Sequence, residues 1–213
     1  MKKIIFLIIP LLLAFYGCQK NADSKEEVII EEELSKEEQL KKLYIESVIP
    51  LFESFQNVDI PTEFKIDIKD NSINAGASFG YVEVSQGLIN NEKKFLQIYV
   101  LSHEVAHIVT INQASIFGLG NQIANGTKTN AYKKSEYLAD LIAIHLMNKN
   151  LKSQSKLLVS DFNKLTNLLG TSTFTHPSGV ERVALMTKYI NGCEKLNPND
   201  MFKQLFEEIW KME

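Results

Sequence analysis

The sequence predicts a mostly helical α+β domain with a small β-sheet. After residue 91, successive segments carry apolar residues at helical spacing, ending with Phe202, Leu205, Phe206 and Ile209 at i, i+3, i+4, i+7. Two short stretches, Phe64 to Ile68 and Tyr81 to Ser85, instead alternate apolar and polar residues, as half-buried strands do. The chain has 213 residues, 45% of them hydrophobic and 23% charged, which suffices for one ordinary domain with a sizeable core plus tails. Its net charge of −3 offers no basic footprint, so no nucleic-acid partner is expected. Its two cysteines, Cys18 and Cys193, are too few for a disulfide framework.

Residues 1–17 read as a signal peptide. Lys2 and Lys3 form a basic start, and Ile4 to Tyr16 is an apolar run broken only by Pro10, short for a membrane span. The run ends in Phe15-Tyr16-Gly17-Cys18, which resembles a bacterial lipobox with Phe15 where Leu is usual. In such signals Cys18 is lipidated and becomes the mature N-terminus. An uncleaved anchor with an incidental Cys18 is the alternative. Both place the domain in the cell envelope, outside the cytoplasm and close to a membrane. With Cys18 lipidated, Cys193 is a free thiol that acts as a small hydrophobe.

Residues 18–38 form an acidic flexible tether, and residues 39–213 the domain. Glu26 to Glu38 holds seven glutamates against Lys36, a run that repels itself. Ser35 and Glu38 are spaced as a capping box, so helical order begins there. The helix carries Leu40, Leu43, Tyr44 and Val48 until Pro50 kinks or breaks it. A strand through Phe64, Ile66 and Ile68 follows, then a turn at Asp70-Asn71-Ser72. Gly76 and Gly80 permit tight turns before the second strand, whose Val82 and Val84 face opposite to Tyr81, Glu83 and Ser85.

Asn90 or Asn91 can cap the next helix, which runs through Phe95, Leu96, Tyr99 and Val100 to the stretch His103-Glu104-Val105-Ala106-His107. Residues 112 to about 130, rich in Asn, Gly and Thr, read as a mobile loop with room for a short helical piece, over or beside that stretch. Helices are expected over about Ala131 to Lys149, over about Leu151 to Leu169, and from Ser178, where Ser178 and Glu181 form a second capping box. The last helix follows Asn197-Pro198-Asn199.

The chemistry centres on His103 to His107, an H-E-x-x-H pattern. Residues four apart share one helical face, so His103 and His107 can hold one metal ion, while Glu104 flanks it as a base for a bound water. A pattern this short also arises by chance. A catalytic zinc needs a third protein ligand. Glu136 and Asp140 lie on one stripe with Ala143 and Met147, and burying carboxylates there unpaired would cost several kcal/mol each. A cation relieves that cost, with Glu136 as ligand and Asp140 behind a ligand histidine. The alternative is a solvated acidic edge. His176, in a loop ahead of a helix, is either a turn residue or an oxyanion donor. Arg182 suits pairing with a buried carboxylate such as Asp140, and His145 reads as a surface or core histidine.

In these residues the chain resembles the M48 family of zinc metallopeptidases. Asn74-Ala75 with Gly80, Val82, Val84 and Gly87-Leu88 resembles the family's strand motif. His103 to His107 matches its metal helix, Glu136 to Asp140 its E-x-x-A-D segment, and His176-Pro177 through Arg182 its H-P-x-x-x-x-R segment. The resemblance implies a gluzincin-like fold in which His103, His107 and Glu136 bind one Zn2+ and Glu104 is general base and proton shuttle. Asp140 would orient a ligand histidine, His176 would steady the tetrahedral intermediate, and the strand after Gly80 would pair with extended substrate backbone. His107 and Glu136 are only 29 positions apart, shorter than in many relatives, which suggests a more open cleft.

The expected function is therefore a zinc-dependent endopeptidase of the bacterial cell envelope. It would hydrolyse peptide bonds by metal-activated water and act in protein quality control. Its substrates would be unfolded or misassembled envelope proteins, and its membrane contact the lipid anchor. The competing expectation is a latent or non-catalytic chaperone or assembly factor built on the same zinc-bound domain.

Overall fold

A computed structural model of the chain describes residues 33–213 apart from Gln56 and Phe79. The expected signal peptide, the lipidation at Cys18 and most of the tether lie outside the described residues. The described part is α+β and mostly helical, with one three-stranded sheet.

Helix α1 (Lys36–Leu43) starts at the expected capping box. The Ser35 hydroxyl accepts from the Glu38 N–H, and the Glu38 carboxylate accepts from the Ser35 N–H. The chain then widens into a π turn over Tyr44–Val48 and tightens into a 3₁₀ turn over Ile49–Phe52. Pro50 lies in the 3₁₀ turn, as expected of a residue that donates no helical hydrogen bond. Tyr44, Val48, Leu51 and Phe52 from these turns are buried in the core.

Strands β1 (Glu63–Asp67), β2 (Ala75–Ser78) and β3 (Tyr81–Ser85) form a sheet in the order β1-β3-β2. β1 runs parallel to β3, and β2 antiparallel to it. β1 ends one residue short of Ile68, which is 72% exposed, because the Asp67 carboxylate takes the Lys69 N–H and turns the chain. Gly80, at φ +91, makes the tight β2–β3 turn. Gly76 makes none and lies inside β2. Val82 and Val84 face the core as expected. Ser85 is buried as well, because its hydroxyl donates to the Ser72 carbonyl at 2.6 Å and caps α2 (Gln86–Ile89) by accepting from Leu88.

That short helix displaces the expected cap of the next one. Asn90 closes α2, and α3 (Lys94–Ile116) begins after Lys93 with no side-chain cap. α3 runs past Asn112 and stops at a glycine motif. The Gly118 N–H (φ +72) bonds the Ser115 carbonyl, and the Leu119 N–H bonds that of Ala114. Residues 117–130 then pass along the chain's last residues, with Gly126 so close to Met212 and Glu213 that an added Cβ would lie 2.5 Å from their backbone.

α4 (Ala131–Asn150) packs along α3, and α8 (Pro198–Trp210) packs on α4 through Phe202, Leu205, Phe206 and Ile209. The expected helix over 151–169 is two helices, α5 (Lys152–Ser160) and α6 (Phe162–Leu169). They part at Asp161, whose carboxylate is drawn to Lys93 at the start of α3. α7 (Gly179–Gly192) opens on the Ser178–Glu181 capping box. His145 is a core residue, stacked on Phe202 with ring centroids 4.2 Å apart and Nδ1 2.9 Å from the Tyr189 hydroxyl. Cys193 is a half-buried free thiol, its pKa raised by burial. No described helix is long and apolar enough to cross a membrane.

Candidate metal centre

Two helices supply the centre. His103 and His107 lie one turn apart on α3, and Glu136 and Asp140 one turn apart on the facing side of α4. The α4 stripe goes into the core, since Asp140, Ala143 and Met147 are all fully buried. The acidic-edge alternative is therefore not what the fold makes of this helix.

The His103 and His107 Nε2 atoms stand 3.1 Å apart. Glu136 reaches His103 Nε2 with Oε2 at 3.4 Å and His107 Nε2 with Oε1 at 3.3 Å. Ligand atoms about 2.0–2.1 Å from a tetrahedral zinc stand roughly 3.3 Å from one another. Glu136 meets the two nitrogens with different oxygens, and one ligand atom from each residue lies within 4.8 Å of the others, so His103, His107 and Glu136 could hold a metal ion.

Each histidine's other nitrogen is held from behind. His103 Nδ1 lies 2.9 Å from Asp140 Oδ1, and His107 Nδ1 lies 3.1 Å from the Ser135 hydroxyl. These contacts aim both Nε2 atoms at the shared point. Asp140 also accepts from the Tyr99 hydroxyl at 2.6 Å and from Arg182 through Nε and Nη2, each at 2.7 Å. Arg182, 5% exposed, also places Nη1 3.1 Å from Glu136 Oε2. Sequence reasoning missed Tyr99 and Ser135. The signal for Tyr99 is present in the sequence: it stands four residues before His103, one turn back on the same face.

The electrostatics follow from this packing. Burial opposes charge on His103, but the Asp140 carboxylate outweighs it and lifts the His103 pKa to about 10. A cation at the centre would take the place of the second proton. Burial works against ionised Glu136 and Asp140 too. The two histidines hold Glu136 well below the usual carboxylate range nonetheless, and Arg182, with His103, does the same for Asp140. Glu104 differs: burial raises its pKa, partly offset by His103 and His107. It is the one of the three carboxyls whose pKa is raised rather than lowered.

The cleft around these groups has a volume of about 310 Å³. Glu104, His176 and the triad line it together with Asn74, Ala75 and Tyr99. His176 Nε2 lies 3.7 Å from Glu136 Oε1, and its Nδ1 is 2.8 Å from the Thr175 hydroxyl. No residue of the 117–130 loop lines the cleft, though Asn130 at its end bonds the loop that carries His176. The strand after Gly80 cannot pair with a ligand backbone, because β3 is the centre of the sheet and both of its edges are taken. The strand at the cleft is β2, whose Ala75 lines it and which pairs on one side only among the described residues.

Comparison with known proteins adds no neighbour to these observations: no protein-family model, no curated protein and no solved structure matches the chain.

Proposed function

We propose that the protein is a zinc-dependent endopeptidase with a gluzincin-like domain, similar to the M48 family and acting in a bacterial cell envelope. The observation that carries this is the convergence of the triad: two imidazole nitrogens 3.1 Å apart, each within 3.4 Å of an oxygen of one carboxylate. The donor set, two nitrogens and one oxygen, suits zinc, and three protein ligands leave a fourth position open. Bound there, zinc supplies a Lewis acid and a water acidic enough to attack at neutral pH.

The remaining work falls to the chain's own groups. Glu104 takes the water's proton onto its carboxylate and gives it to the departing amine, and its raised pKa favours that exchange. His176 Nε2, in the same cleft as Glu104 and 3.7 Å from Glu136 Oε1, donates a hydrogen bond to the carbonyl oxygen as it gains charge. Asp140, locked by Arg182 and Tyr99, holds His103 in the tautomer that frees Nε2. The one-sided edge of β2 gives an extended peptide a strand to pair with, so unfolded segments are the natural substrates. With the lipid anchor expected at Cys18, those substrates would be unfolded or misassembled envelope proteins.

The test is the substitution Glu104→Gln. The variant should hold one zinc per chain by elemental analysis, yet cleave casein on the order of 10²–10⁴-fold more slowly than the wild type. Unimpaired cleavage by the variant, or a wild-type protein without stoichiometric zinc, would overturn the assignment. A folded, zinc-loaded wild type that cleaves nothing would favour the chaperone reading.

A further inference from the structure

Asn130 is the N-cap of α4, and its amide reaches in two directions. Oδ1 accepts from the Lys133 N–H at 2.9 Å, which caps the helix. Nδ2 donates to the Phe174 carbonyl at 2.8 Å, on the far side of a long sequence gap. One side chain thus joins the helix that carries Glu136 to the loop that carries His176. Two more contacts run along the same seam. Lys133 Nζ donates to the Ser172 hydroxyl at 2.7 Å, and the Tyr132 ring packs on Phe174 with centroids 6.0 Å apart.

The loop is tied to itself at its tip. The Thr173 N–H bonds the His176 carbonyl, and the His176 N–H bonds the Thr173 hydroxyl at 3.0 Å. Holding Phe174 therefore holds His176. The His176 side chain is 53% exposed, and its only close hydrogen-bond partner among the described residues is its neighbour Thr175. No tight packing orients the imidazole, so its place in the cleft depends on where the loop backbone is pinned.

We propose that Asn130 is a positioning residue for the reaction: it sets the distance between the His176 imidazole and the Glu136 carboxylate. The inference rests on the peptidase reading, in which His176 steadies the developing oxyanion. An imidazole that has drifted by about 1 Å no longer meets that oxygen at hydrogen-bond distance, and errors of this size are costly in rate.

Asn130→Ser and Asn130→Asp both keep an oxygen for the cap and remove the amide donor to Phe174, the shorter serine hydroxyl being committed to the cap and the aspartate carrying no donor. Both variants should keep the wild-type melting temperature and zinc content. Both should lose about tenfold in kcat, with KM changed by less than about twofold, as expected for an interaction expressed in the transition state. Amide exchange should speed up in residues 171–178 and stay slow in α4. Because Asn130 acts through His176, adding Asn130→Ser to His176→Ala should lower kcat no further. Wild-type kcat in either single variant, unchanged exchange in 171–178, or losses that multiply in the double variant would overturn the proposal while leaving the peptidase reading in place. A zinc-loaded wild type that cleaves nothing overturns that reading, and the role of Asn130 with it.

Discussion

Asp140 is fully buried and answers to three groups at once: His103, Tyr99 and Arg182. Removing it strands a guanidinium that is itself 5% exposed. Asp140→Ala should therefore cost about 3–5 kcal/mol of stability and weaken zinc binding about 10–100-fold. Adding Arg182→Met removes the stranded charge and should restore much of the stability but none of the metal affinity. Urea unfolding and competitive zinc titration separate the two effects, and full recovery of both would mean that Asp140 does not orient His103. His145 sets a pH limit of another kind. Burial lowers its pKa from 6.5 to about 4, helped by Lys149. As pH falls below 6.5 the unfolded chain takes up a proton that the folded chain refuses until about pH 4. Stability is therefore lost across that window, by about 3 kcal/mol at its foot. His145→Gln should flatten the window in urea unfolding curves, and an unchanged slope between pH 6.5 and 4 would show that His145 does not titrate this way.

At the scale of elements, the local signals that stand on hydrogen-bonding chemistry are legible in the sequence. Both capping boxes, Ser35–Glu38 and Ser178–Glu181, form where their spacing puts them. Pro50 lies in the 3₁₀ turn where the helical stretch after α1 tightens, and Val82 and Val84 face the core. The boundaries that differ are set by particular side-chain contacts, one of them far along the chain. Asp161 splits the helix over 151–169 while bound to Lys93, and Ser85 spends its hydroxyl on α2, moving the start of α3 to Lys94. Strand β2 is short and carries Gly76 mid-strand, so it has no apolar alternation to reveal it; pairing with β3 makes it a strand. The far end of α3 depends on Gly118 at φ +72, and Gly118→Ala should cost about 1 kcal/mol by forcing a Cβ into that region. A Gly118→Ala variant as stable as wild type in urea would show that the helix end relaxes freely.

For the whole molecule, the metal is expected to act as a clamp. His103 and His107 on α3 and Glu136 on α4 belong to the two longest helices, which pack along each other and carry much of the core. Zinc at a hundred times its Kd should add about 2.7 kcal/mol, which for a domain of this size raises the melting temperature by roughly 5–11 °C. Calorimetry with and without a chelator measures it, and identical melting curves would remove the triad from consideration as a binding site. The sequence by itself determined the class of fold, the helices that carry the chemistry and the three candidate ligands. The histidine pair depends on spacing along one helix, where a turn of 3.6 residues is the same in any context; Glu136, on another helix, follows from the stripe it shares with Asp140 and from the resemblance. Only the tertiary structure decided that the stripe of Glu136 and Asp140 faces the two histidines and that Tyr99 and Ser135 stand behind them, whereas the Arg182–Asp140 pair forms as the sequence suggested. It also decided that β2, not β3, reaches the cleft and has one side unpaired among the described residues, and that Asn130 ties the His176 loop to α4. These are contacts between segments distant in sequence. They are set by how whole helices pack and strands pair, which local periodicity does not encode.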